Sequence, residues 1–80
     1  MLQITLFTKD PCPLCDDVKV LLDTLAGTYP HQLSEVDITQ DRDLNARYRF
    51  SIPVLQIGES QIKAPISLVE LNRFLREGPA

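Results

Sequence analysis

Between Phe7 and Val18 the hydrophobic pattern changes from a period of two to one of about 3.6, and two cysteines sit at the boundary. Leu2, Ile4 and Leu6 alternate with Gln3, Thr5 and Phe7, which is the pattern of a strand. Thr8-Lys9-Asp10-Pro11 interrupts it. From Cys12 onward, Leu14, Val18, Leu21, Leu22 and Leu25 recur on one helical face, so the spacing predicts a helix from Pro13 to Ala26. Pro13 suits the first turn, where a missing N–H costs nothing, and Gly27 is a natural stop. A strand that hands over directly to a helix must return as a parallel neighbour through a right-handed crossover.

The rest of the chain supplies that return and extends it. Leu33 to Ile38 reads as a short strand, and Thr39 or Asp41 can cap a second helix that runs to Tyr48. Ile52 to Ile57 is a third strand opening at a proline, and Gly58-Glu59-Ser60 turns it back into a fourth, Gln61 to Ala64. Ser67 and Glu70 form a capping box, with Ile66 placed to staple against Leu71. Leu68, Leu71 and Leu75 supply the buried face of the last helix, and Gly78-Pro79 ends it. The order is β-α-β-α-β-β-α, an α/β fold with a four-stranded mixed sheet and helices on both faces. With 80 residues the chain is one domain, 1–80, with an ordered core over about 2–76.

The net charge of −3 argues against nucleic acid or an anionic membrane as the main partner. Arg42, Arg47 and Arg49 interleave with Asp41 and Asp43 and read as a solvated helix face. No apolar run approaches the roughly 18 residues that cross a membrane, and no basic segment with an apolar stretch opens the chain. The expected setting is the cytoplasm, and the expected state a monomer. In that compartment thiols stay reduced, and a disulfide closing so short a loop adds little chain entropy. Chemistry therefore explains Cys12 and Cys15 better than stapling does.

Helical spacing assigns the two cysteines different surroundings. Cys12 falls at the N-cap and heads the polar stripe Cys12, Asp16, Lys19, Asp23; Cys15 heads the apolar stripe Cys15, Val18, Leu22. A thiolate at Cys12 faces unsatisfied N–H groups and the positive end of the helix dipole, conditions that lower a thiol pKa. Cys12 is thus expected to attack a disulfide and Cys15 to resolve the mixed disulfide that results. Asp16, one turn on, opposes this with a repulsion of roughly 0.6–2.4 kcal/mol for an effective dielectric between about 80 and 20. Lys19 is spaced to offset part of it.

Thr8-Lys9, Cys12-Pro13-Leu14-Cys15 and Ser51-Ile52-Pro53-Val54 together resemble a thioredoxin-fold protein of the glutaredoxin family, over Leu2 to about Leu75. The resemblance implies a thiol–disulfide oxidoreductase with a cis Ile52–Pro53 bond beside the cysteines, where Ile52 presents its backbone to an extended substrate. It implies that Lys9 contacts a carboxylate of glutathione. The chain departs from the family after the fourth strand. Glutaredoxins carry Gly-Gly and a nearby Asp there, whereas this chain has Ala64-Pro65-Ile66-Ser67, with no N–H at Pro65 and no carboxylate. It thus resembles a divergent, small member, with no bound cofactor expected and with glutathione as a co-substrate at most. The expected partners are a disulfide-containing protein or small thiol, and a reductant the sequence does not identify.

Other readings stay open on sequence alone. Pro53 has a less favoured second reading, an ordinary trans proline opening an edge strand. Two thiolates three apart are half of a tetrahedral metal site, yet no second CxxC exists and His31 is the one histidine. That leaves a metal or iron–sulfur site shared between two chains. A non-catalytic module using the Ile52-Pro53 edge to hold a partner is the third reading.

Overall fold

The computed structural model describes residues 1–78, so Pro79, expected to help end the last helix, lies outside the described residues. Its elements are β1 (Leu2–Thr8), α1 (Pro13–Leu25), β2 (His31–Asp37), a 3-10 turn (Ile38–Gln40), α2 (Arg42–Tyr48), β3 (Val54–Ile57), β4 (Ser60–Lys63) and α3 (Leu68–Glu77). The strands lie in the order β2-β1-β3-β4. β1 runs parallel to β2, from Leu2 opposite His31 to Thr8 opposite Asp37, and antiparallel to β3. β3 and β4 form the antiparallel hairpin, so the sheet is mixed, as the turn and the crossover together require.

Strand alternation sorts the apolar residues onto two faces. Ile4, Leu6, Leu55 and Ile57 pack with Val18 and Leu22 of α1 and with Leu71, Phe74 and Leu75 of α3. On the opposite face Phe7, Ile38 and Val54 gather Leu44 and Tyr48 of α2 together with Ile52. The Phe7 and Tyr48 rings stack with centroids 4.6 Å apart, which seats α2 on the sheet.

Several boundaries differ from the sequence reading for physical reasons. β2 starts at His31 rather than Leu33, because parallel pairing with Leu2 carries it back to the loop. Ile38 leaves the strand for the 3-10 turn, which Asp37 caps through Thr39. α2 is capped by Asp41, not Thr39: its carboxylate accepts from the N–H groups of Asp43 and Leu44. β3 begins at Val54, two residues after Ile52. Gly27 is not in the left-handed region; α1 ends at a turn whose Thr28 and Tyr29 N–H groups both return to Leu25. Positive φ occurs instead at Gly58, the first loop position of the hairpin, and at Gly78, which caps α3.

Leu14 and Leu68 were expected on buried faces, yet they are 58% and 45% exposed. Both sit in the first turn of their helix. A helical side chain leans toward the N-terminus, so there it leans past the helix end. Phe74 completes the buried face of α3 instead. Ser67 caps that helix, accepting from the Glu70 N–H at 3.1 Å, and Ile66 packs into the same core as Leu71.

The contrast yields a stability prediction. Leu22→Ala, in the core, is expected to cost about 2–5 kcal/mol, and Leu14→Ala no more than about 0.5 kcal/mol. Urea unfolding followed by far-ultraviolet circular dichroism measures both.

Candidate active site at the end of the first strand

β1 and α1 meet at the two cysteines. Cys12 is the N-cap of α1, with extended backbone, and its sulfur accepts from the Cys15 N–H at 3.2 Å. Its carbonyl accepts from the Asp16 N–H at 3.1 Å, closing the first turn. Cys12 is half-buried, whereas Cys15 is 1% exposed, in line with Val18 and Leu22 on the core face. The two sulfurs are joined as a disulfide, with Cα atoms 5.2 Å apart.

A cleft of about 380 Å³ opens beside Cys12, lined by Thr8, Lys9, Asp10, Asp16, Lys19, Glu35 and Asp37. Lys9, Cys12 and Asp16, singled out from the sequence, therefore share one wall. Glu35 and Asp37 were not anticipated there. Alternation along β2 puts both on the same face as Leu33, which packs with α1, but only the β1–β2 pairing brings that face to the cysteine. Lys19 departs from its expected role accordingly: its Nζ lies 2.7 Å from Glu35 and 4.0 Å from Asp16. The Glu35 carboxylate, through a hydrogen bond and its charge, raises the Lys19 pKa above the ordinary lysine range despite the opposing effect of desolvation, with smaller help from Asp16 and Asp10. Asp37 moves the other way. The Thr39 hydroxyl and N–H both donate to its carboxylate and hold its pKa below the ordinary value.

The other side of α1's first turn is mostly apolar. Pro53 is fully buried and borders a small cavity of about 120 Å³ with Leu14, Val18, Ala64, Pro65 and Ile66, and with Asp17 as the one charged side chain. The loop that replaces Gly-Gly thus sits beside Pro53 and the start of α1. The Ile52–Pro53 peptide bond is cis, as are Asp10–Pro11 and Ala64–Pro65. Ile52 is placed differently from the sequence expectation: its N–H already donates to the Tyr48 carbonyl at 3.1 Å and so is engaged within the chain. Its side chain packs on the α2 face of the sheet, away from the cysteines. His31 opens β2 opposite Leu2, at the far end of the parallel pair from Cys12, and its Nδ1 lies 2.9 Å from the Tyr29 carbonyl. Among the described residues no three His, Cys, Asp or Glu side chains gather as a metal-holding group.

A family model for the glutaredoxin-like domain (DUF836) matches residues 3–76. The chain belongs to this family. Among solved structures, the crystal structure of the Northeast Structural Genomics target protein XcR50 from X. campestris superposes with a TM-score of 0.84 at 26% identity, covering 95% of this chain and 99% of that one. A protein described as malarial gives 0.70 at 16% identity, over 100% of this chain and 99% of that one. Thioredoxin O2 from Arabidopsis thaliana, in its oxidized state, gives 0.68 at 22% identity, over 94% of this chain and 72% of that one. The last of these likenesses establishes the thioredoxin-like fold. In this glutaredoxin-like domain the CxxC pair stands at the strand–helix junction, an arrangement consistent with redox chemistry.

The depressed Asp37 pKa carries a sign. A carboxylate lowered in the folded state adds stability above its unfolded pKa of about 3.9, and that contribution disappears as pH falls through the folded value. The stability difference between wild type and Asp37→Asn is expected to be constant near neutrality and to shrink below about pH 4. Urea midpoints measured over that range give the test.

Proposed function

We propose that this protein is a single-domain, monomeric thiol–disulfide oxidoreductase that works by dithiol exchange in a reducing compartment such as the cytoplasm. The observation that carries this reading is the unequal pair: a half-exposed Cys12 at a helix N-cap, joined to a buried Cys15. In the reduced protein the Cys12 thiolate attacks one sulfur of a substrate disulfide. The substrate S–S bond breaks, one sulfur leaves as a thiolate that takes a proton from water, and a mixed disulfide joins Cys12 to the other. Cys15 then gives up its proton and attacks the Cys12 sulfur. The second substrate thiol is released and the Cys12–Cys15 disulfide remains, two electrons having passed to the substrate. An external thiol or dithiol reductant restores the pair.

The helix N-terminus supports the thiolate at Cys12, since its sulfur already accepts a backbone N–H. Asp16 works against it from the next turn, and Lys19 compensates less than its spacing implies because Glu35 holds it. Lys9 is the cation left on the cleft wall to meet a substrate carboxylate. Glutathione is the less favoured co-substrate. Four carboxylates line the cleft against two ammonium groups, and Pro65 offers no N–H where a glutathione backbone would need one. A protein disulfide or an uncharged small disulfide meets neither obstacle. A partner-holding module without catalysis gives a different outcome in the same assays.

Cys12→Ser is expected to abolish disulfide reduction, and Cys15→Ser to trap a mixed disulfide visible by intact mass. Turnover equal to wild type in Cys12→Ser, or no turnover in wild type with any thiol donor, would exclude dithiol exchange. Asp16→Asn is expected to lower the Cys12 pKa by about 0.4–1.7 units, read from thiolate ultraviolet absorbance against pH.

A further inference from the structure

On the other face of the sheet from the core helices α1 and α3, a groove of about 620 Å³ runs between α2 and β4. Its wall is made by Arg47, Tyr48, Ser51, Val54, Gln61, Ile62 and Lys63, with no carboxylate among them. That composition is unusual in a chain with 11 acidic and 8 basic side chains. The ion pairs among the described residues use Lys19 and Arg73, leaving Arg47 and Lys63 without a carboxylate partner there. Arg47 and Arg49 are exposed, as the solvated helix face expected from the sequence requires. On that face the Arg49 guanidinium lies over the Phe50 ring, 4.7 Å from its centroid, and Arg47 lies over the Tyr48 ring at 5.9 Å.

We propose that this groove binds a small oxyanion carrying two negative charges, of the phosphate or dicarboxylate class. The polar groups share one groove, and two of them, Tyr48 and Gln61, are held in place. Tyr48 is fixed by its stack on Phe7, and its hydroxyl oxygen accepts from Gln61 Nε2 at 3.0 Å, leaving the hydroxyl proton for a ligand. Gln61 is itself anchored, its Nε2 lying 2.7 Å from Gln56 Oε1. Gln61 chiefly, and Arg47 to a lesser degree, lower the phenol pKa, which makes its O–H a stronger donor. Lys63 stands opposite Val54 in the β3–β4 register, two residues from Gln61 on the same face of the strand. Two cations, a phenol and the Ser51 hydroxyl thus line one groove, and charge-assisted hydrogen bonds from such donors suit a doubly charged oxyanion. The site lies apart from the cysteine cleft and shares no residue with it, so it stands independently of the dithiol reading.

The test is a titration of the oxidised full chain by two-dimensional amide NMR at low ionic strength. Inorganic phosphate, succinate and chloride are added separately at matched ionic strength. Saturable shifts centred on Arg47, Tyr48, Gln61 and Lys63 with phosphate or succinate, and none with chloride, are expected. Saturation by phosphate alone identifies a tetrahedral oxyanion and by succinate alone a carboxylate; either supports the site. The double variant Arg47→Gln/Lys63→Gln is expected to weaken binding at least about tenfold, and Tyr48→Phe by less. Shifts that drift linearly and equally with all three salts, or undiminished affinity in the double variant, overturn the proposal. Disulfide reduction is expected to be unchanged in the double variant, so failure of the anion site and failure of the dithiol chemistry are read separately.

Discussion

α1 lies on the central strands through Val18 and Leu22, which pack with Ile4, Leu6 and Leu55 in the largest core of the molecule. Cys15 sits on that same helical face and is buried with it. This packing sets the rotation of α1, and most of what concerns the site follows from the rotation. With Val18 and Leu22 turned inward, Cys12 and Asp16 are turned toward solvent, and the N-cap sulfur stands at the open end of the helix. Rolling α1 by one residue would bury Asp16 and expose Cys15, so the division of roles proposed for the two cysteines depends on apolar packing several residues away.

The sheet supplies the second constraint. β1 is central, paired in parallel with β2 and antiparallel with β3. Its C-terminal end therefore delivers Cys12 to a point flanked by β2 carboxylates, while Leu14 and Val18 of α1 face the Pro53 loop. The carboxylates give the cleft an acidic wall, and they draw Lys19 toward Glu35. The opposite side of α1 is mostly apolar, because Leu14, Val18, Pro53 and the Ala64–Ile66 loop meet there, with Asp17 as its one carboxylate. The surroundings of α1's first turns thus carry far more charge on the β2 side than on the Pro53 side. The fold is shared with thioredoxin-like proteins of low identity; the charge pattern belongs to this sequence.

The order of elements and the two cysteine environments were legible because they rest on local rules. Period two and period 3.6 are visible in neighbouring residues, and an N-cap followed by a phased apolar stripe needs no long-range information. The misplacements share a different cause. Leu14 and Leu68 obey the helical phase but sit in first turns, where the phase no longer guarantees cover. Asp41, rather than Thr39, caps α2 because Ile38 is drawn into the second core and the chain spends a 3-10 turn reaching it. No periodicity records that detour.

The sequence alone determined that a CxxC stands at a strand–helix junction and that Cys12 and Cys15 head neighbouring stripes of the helix, one polar and one apolar. It did so because helical phase is a property of residues a few positions apart. Only the tertiary structure decided which groups surround Cys12. Glu35 and Asp37 come from β2 across a parallel pairing, Pro65 returns beside Pro53, and the Ile52 N–H is taken by Tyr48. The groove of Arg47, Tyr48 and Lys63 likewise exists only where α2 and β4 meet. The physical reason is the same in each case: these neighbours are far apart in the chain, and the burial of two apolar sheet faces is what brings them together.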